Sequence, residues 1–284
     1  MSRSKSNSDF GELILWGFVG YGLYKIFGKN EPLVGQEISN TTNDIYNRID
    51  WKQGQNETNA VYLQRTANEM RNLNDKKIFA SQDELEQYIA YTAKVWGEKF
   101  KGKVSYAWKY QFMNLDGGFS ASSDSTGKKA IMDCTNFVAG VLYSSGAIKN
   151  EIVIFKNQKQ PAQNFSTDAF MSDYGKKNYS IEKNLPFKDY PGVVARLKNS
   201  DLIFETIDTP SVGNVVAQHA YNEKNQLYAK HAFILHGKYY DDRLKQNMYQ
   251  VAEMLNGPSL NRIYSEKQLR DKSIHTILRV AFSR

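Results

Sequence analysis

The chain has a single cysteine, four histidines and six prolines in 284 residues, and each scarcity narrows what it can be. A lone cysteine excludes an intrachain disulfide and any zinc site built from several thiolates. Phosphate-loop motifs, zinc-finger spacings and RNA-binding aromatic signatures are absent, and no internal repeat is evident. Positive charge is in excess, at a net +7, but it is scattered in pairs such as Lys76–Lys77, Lys128–Lys129 and Lys176–Lys177. Nucleic-acid binding calls for a concentrated basic face, so that class is set aside. Long apolar runs are also missing. The longest, Leu13–Tyr24, is glycine-rich and falls short of the roughly 20 residues that span a bilayer. What the chain does have is aromatic bulk, with 18 Tyr and 15 Phe, enough to fill a core.

Two regions follow from composition. Residues 1–57 read as an N-terminal apolar segment followed by a polar linker, with 13–27 placed either on a membrane surface or as a helix packed on the body. Residues 58–284 read as the folded domain. Leu63, Ala67, Met70 and Leu73 keep helical spacing. Ser81 with Glu84 has the form of a capping box ahead of Leu85, Tyr88, Ile89, Thr92, Val95 and Trp96. From Leu202 the pattern changes to short β-type runs, at 202–204, 212–218, 227–236, 248–255 and 276–282, with turns expected at 222–226 and 238–246. Helices first and antiparallel strands later give an α+β expectation.

The cysteine lies in the most suggestive stretch, Ile131–Gly146. Phe137, Val138, Val141 and Leu142 repeat at helical spacing, Asp133 suits an N-cap and Gly146 a C-terminal stop. Cys134 is thereby placed in the first turn of a helix. There the dipole and unpaired backbone amides can lower a free thiol's pKa of about 8.5 into the range of roughly 3.5–7.5. Cys134 also shares a side with Phe137, Val138 and Val141, which turns its sulfur toward the body of the protein.

A thiol nucleophile needs a base, and histidine is the usual one. Strand alternation in His231–Gly237 sends His231 and His236 to opposite faces, so both cannot meet Cys134. His219 and His275 read as surface or core residues satisfied by backbone. An orienting group for the second ring nitrogen of His231 is available on the next strand, as Glu253 or Asn256. The spacing of His219, His231, His236 and Cys134 does not converge three metal ligands, and neither a metal nor a cofactor is expected.

These residues carry a resemblance. Asp133-Cys134-Thr135-Asn136-Phe137 resembles the nucleophile motif of a cysteine amidase family within the NlpC-type and CHAP papain-like cell-wall hydrolases. Pro210–Val216 and His231–Gly237 are similar to that group's strands before and at the histidine. The resemblance covers roughly residues 104–280 and is strongest in those short blocks. It implies an α+β papain-like fold with the nucleophile helix packed on an antiparallel sheet. It also implies Cys134 as nucleophile, His231 as base and Glu253 or Asn256 as orienter. Asn214, where an acidic residue is common, and Met254, near a position commonly polar, depart from the pattern.

The function so implied is hydrolysis of amide bonds in bacterial peptidoglycan stem peptides by a cysteine amidase or endopeptidase, acting in the cell envelope or after secretion. It could serve as an antibacterial effector, with an inhibitor or immunity protein as partner, as a wall-remodelling enzyme or as a phage lysin. Two alternatives remain open at this stage: an inactive binding or adaptor module tethered to the membrane, and a cysteine hydrolase or transferase acting on another acyl substrate.

Overall fold

The computed structural model describes residues 46–74, 77–107, 121–147, 152–154, 195–197, 204–221 and 227–280. The segment 13–27 lies outside them, as does the turn expected at 222–226. Two helices come first, α1 (Asn59–Asn74) and α2 (Gln82–Lys99). A small sheet follows, of β1 (Val104–Tyr106), β2 (Ser122–Ser123) and β3 (Ala130–Met132), and β3 runs straight into α3 (Cys134–Ser144). A short pair, β4 (Ile152–Ile154) and β5 (Ala195–Leu197), precedes the main sheet. That sheet is built from β6 (Phe204–Ile207), β7 (Val215–Tyr221), β8 (Leu227–Asp241), β9 (Gln246–Met254), β10 (Pro258–Ser265) and β11 (His275–Val280), with a short α4 (Glu266–Leu269) between the last two.

Every residue of α3 is buried, as expected of a helix apolar on all sides. Its sequence explains both ends. The Asp133 carboxylate accepts from the Asn136 N–H at 2.7 Å, capping the start. Gly146, at φ 75°, ends the helix beside the Asn74 carbonyl, where a side chain would not fit. Trp96 of α2 packs edge-on against Phe137 of α3 at 5.8 Å and Phe100 at 5.0 Å, joining the two helices.

The main sheet has the order β10-β9-β8-β7-β11-β6, antiparallel throughout, and buries both faces. Val215, Ala217, Ala232, Ile234, Ala252, Met254, Leu278 and Val280 belong to the core shared with α1, α2 and α3. The alternate residues, Val216, Phe233, Leu235, Tyr249, Val251 and Ile277, form a second core under Leu269 of α4. The period of two in β7, β8, β9 and β11 is thus used twice, once for each core.

Several details differ from the sequence expectation. The packed body begins before residue 58, because Tyr46 and Ile49 are buried in the first core. The Tyr46 hydroxyl lies 2.6 Å from Thr92 Oγ1 and accepts from Asn74 Nδ2 at 2.9 Å, and its ring stacks on Tyr91. Ser81 caps α2 as expected, but the Glu84 carboxylate reaches the N–H of Ala80 instead of closing a box on Ser81. The full capping box is at Ser265 and Gln268. The turn expected over 238–246 is shorter, since β8 continues to Asp241 and β9 starts at Gln246.

Asn214 has a packing role. It is fully buried, with its Oδ1 accepting from Ser211 N–H at 2.6 Å and its Nδ2 donating to Glu86 Oε1 at 3.3 Å. Ser211 Oγ donates to the other Glu86 oxygen at 2.8 Å. Gly213, at φ 92°, lets this loop lie against the Glu86 backbone, where any Cβ would meet the carbonyl oxygen at 2.1 Å. Met254 is buried in the first core, on the face of β9 opposite Glu253.

Candidate active site

Strand β3 delivers Cys134 to the first position of α3, at the positive end of the helix dipole. Only 5% of Cys134 is exposed, and Sγ lies 3.9 Å from Thr135 Oγ1. His231, 9% exposed, sits at the start of the well-packed part of β8. Its Nε2 is 2.7 Å from Glu253 Oε2. A second hydrogen bond joins the imidazole to the Cys134 side chain, and with Nε2 committed to Glu253 this bond falls to Nδ1.

The residues come from three elements and meet at the seam between the two cores. Cys134 belongs to the helix-side core. His231 and Glu253 share the alternate face, with Phe233, Leu235, Tyr249 and Val251. Adjacent pairing of β8 and β9 sets Phe233 opposite Glu253, which carries the carboxylate to the imidazole two residues along.

Burial opposes charge on the imidazole, but the negative charge on Cys134, hydrogen bonds to Cys134 and Glu253, and the Glu253 carboxylate outweigh it and push the His231 pKa up to about 9. The imidazole is therefore held in its protonated form at neutral pH, beside the Cys134 side chain.

Of the residues singled out from sequence, the structure brings together Cys134, His231 and Glu253. Asn256 is not brought to the site. It is exposed in the bend after β9, where its backbone carbonyl accepts from the Tyr106 N–H at 3.4 Å. The carboxylate that meets the imidazole is that of Glu253, which is 0% exposed. His236 is the extra residue where β8 shifts register between Leu235 and Gly237. Its Nε2 has no hydrogen-bond partner among the described residues, and burial with the nearby Lys94 charge lowers its pKa to about 4. His275 is buried, with Nδ1 at 2.9 Å from the Gln268 carbonyl oxygen. Among the described residues, no three His, Cys, Asp or Glu side chains cluster as metal ligands would. No helix among them is long and apolar enough to cross a membrane.

Two neighbours escaped the sequence reading. Tyr106, at the end of β1 opposite Met132, is the partly exposed ring beside the site. Burial and the charges of Cys134 and Asp133 push its hydroxyl up to about 12, so it is a neutral donor at physiological pH. Arg262 of β10 reaches Glu253 from the side away from the imidazole, with Nε 3.2 Å from Oε1. The only signal for either was an aromatic or basic residue in a short polar run, which is too common to single out.

No protein-family model matches the chain, and neither the curated proteins nor the solved structures return a match.

Proposed function

We propose that this protein is a papain-like cysteine amidase or endopeptidase that hydrolyses amide bonds in bacterial peptidoglycan stem peptides. The observation that carries the reaction class is the single constellation of a helix-start thiol, an imidazole bonded to it, and a buried carboxylate 2.7 Å from the second ring nitrogen. A structural cysteine needs none of these partners. The choice of wall peptides rests on the resemblance of Asp133–Phe137 to the amidase motif. The two departures from that motif are explained as packing residues, Asn214 against Glu86 and Met254 in the first core.

In the proposed reaction the Cys134 thiolate attacks the amide carbonyl carbon, and the electron pair of the C=O bond moves to oxygen. The Cys134 N–H, at the first position of α3, is the donor set toward the developing oxyanion. Collapse of the tetrahedral species breaks the C–N bond while the His231 imidazolium gives its proton to the leaving amine. The neutral imidazole then takes a proton from water, which attacks the thioester, releases the carboxylic acid product and restores the thiol–imidazole pair. Glu253 keeps Nε2 protonated and Nδ1 facing the sulfur throughout.

The test is to incubate the full chain, wild type, Cys134→Ala and His231→Ala, with muropeptides and read products by mass spectrometry. A new amine and carboxylate pair from wild type alone, with loss of at least about a thousandfold in either variant, is expected. Equal product from Cys134→Ala would sink the reading.

A further inference from the structure

We propose that Arg262 is a positioning residue of this site, locking the Glu253 carboxylate so that its other oxygen stays on His231. The inference rests on the reading of Cys134, His231 and Glu253 as a working triad, and it starts from a register shift. On β9, Glu253 and Val251 are two residues apart, yet their partners on β10, Ser259 and Arg262, are three apart. One extra residue therefore sits in β10. In an unbroken register Asn261 would face Val251, and Arg262 would point to the opposite face; the bulge moves Arg262 onto the face that carries Glu253. Bulges of this kind re-aim a side chain at a cost in ladder hydrogen bonding, and this one aims a guanidinium at a buried carboxylate.

The guanidinium is itself held. Arg262 Nη1 donates to the Tyr264 hydroxyl at 3.0 Å, and the Tyr264 ring stacks on Phe233 at 5.3 Å with an interplanar angle of 5°. Phe233 lies directly opposite Glu253 in the sheet. The chain of contacts thus runs from Phe233 through Tyr264 and Arg262 to Glu253 Oε1, and from Oε2 to His231. Oε2 is thus hydrogen-bonded to His231, while the buried Oε1, with no hydrogen bond of its own, has the Arg262 guanidinium as its ion-pair partner at 3.2 Å. A carboxylate free to rotate would lose the alignment on Nε2, and with it part of the stabilisation of the imidazolium–thiolate pair. A planar fork that contacts two groups at once cannot be replaced by a lysine without loss.

The pair can be read without a substrate, from the rate of Cys134 alkylation by iodoacetamide between pH 5.5 and 9.5. Wild type should keep a reactive plateau at pH 6, and His231→Ala should lose it and follow an ordinary thiol with a limb near 8.5. Arg262→Met, checked as folded by circular dichroism and followed down through the acid limb below the plateau, should move that limb up by about one pH unit, a tenfold loss of rate at any pH on the limb. At pH 9.5, where any thiol is ionised, the two should agree. Arg262→Lys, which keeps the charge and loses the fork, should fall between them. Superposition of the Arg262→Met and wild-type profiles would overturn the role of Arg262 and leave the triad standing. If Arg262→Met does not fold, the same decision passes to Arg262→Lys and Tyr264→Phe, with wild-type profiles for both overturning the proposal. A wild-type limb near 8.5 that His231→Ala leaves unchanged would instead remove the triad, and Arg262 with it.

Discussion

At the scale of single residues, neighbours explain choices that look anomalous in the linear sequence. Asn214 stands where the cell-wall hydrolases whose motif this chain resembles commonly carry an acid, and an acid there would face the buried Glu86 across the 3.3 Å that the amide now bridges. Asparagine supplies an N–H where a second carboxylate could only repel. Asn214→Asp should therefore destabilise the protein by about 3 kcal/mol at pH 7, the order of cost of an uncompensated buried charge. The introduced carboxyl would be forced toward its protonated form, so the penalty is present at neutral pH and fades as acid neutralises the pair. Urea unfolding of wild type and variant at pH 7 and pH 4.5 checks this, and a deficit of equal size at both values would refute the charge argument. Cys134 and His231 were legible for a different reason. Their chemistry is rare in this chain, and an N-cap, a helical period and a strand alternation place them. Glu253 and Asn256 were not separable from sequence, because choosing between them needs the end of β9. The strand stops at Met254, leaving Glu253 in the ladder and Asn256 in the bend.

At the scale of elements, α3 is legible because periodicity, cap and stop agree, whereas β10 is not. The residues Pro258–Ser265 show little apolar alternation, since Leu260 packs on the helix-side core while the other face carries Arg262 and Tyr264. A polar edge strand is recognised only once its partner is known. The bulge that turns Arg262 inward is likewise a property of pairing, with no local signature. Contact between α2 and α3 is equally invisible in sequence, and it is tight: a Cβ built on Gly140 would lie 2.2 Å from Trp96 Cη2. Trp96 cannot swing away, because Phe100 and Phe137 hold its ring edge-on. Gly140→Ala should cost about 1–3 kcal/mol through overpacking, despite alanine's better helix propensity. The cost should be recovered in part by Trp96→Phe in the same chain, measured as a positive coupling in a thermal-unfolding double-mutant cycle. Additive effects of the two changes would mean that the helices separate without resistance.

At the scale of the molecule, three histidines, His231 and His275 buried and His236 half-buried, act against one another in setting how stability depends on pH. His231 is raised to about 9, burial being outweighed by Cys134 and Glu253. The stability this contributes is fully present below its unfolded value of about 6.5, and is lost as pH rises through 9. His236 is lowered to about 4 by burial, with Lys94 adding to it, and His275 is lowered by burial despite its bond to the Gln268 carbonyl. For these two the unfolded chain binds protons that the folded chain refuses, so stability falls as pH drops below about 6.5. The fall due to His236 continues to its folded value near 4 and amounts to about 3 kcal/mol in total, at 1.36 kcal/mol per pKa unit. Stability should therefore peak near the unfolded histidine pKa and decline on both sides, with His231 setting the alkaline limb and His236 and His275 the acid one. His236→Leu isolates the acid side, since it removes the titrating ring from the bulge of β8 without touching Cys134, His231 or Glu253. Urea midpoints followed from pH 7 to pH 4.5 should fall less steeply in this variant than in wild type, with the curves converging or crossing toward acid. Parallel curves over that interval would show that His236 takes up its proton in the folded protein as readily as in the unfolded chain.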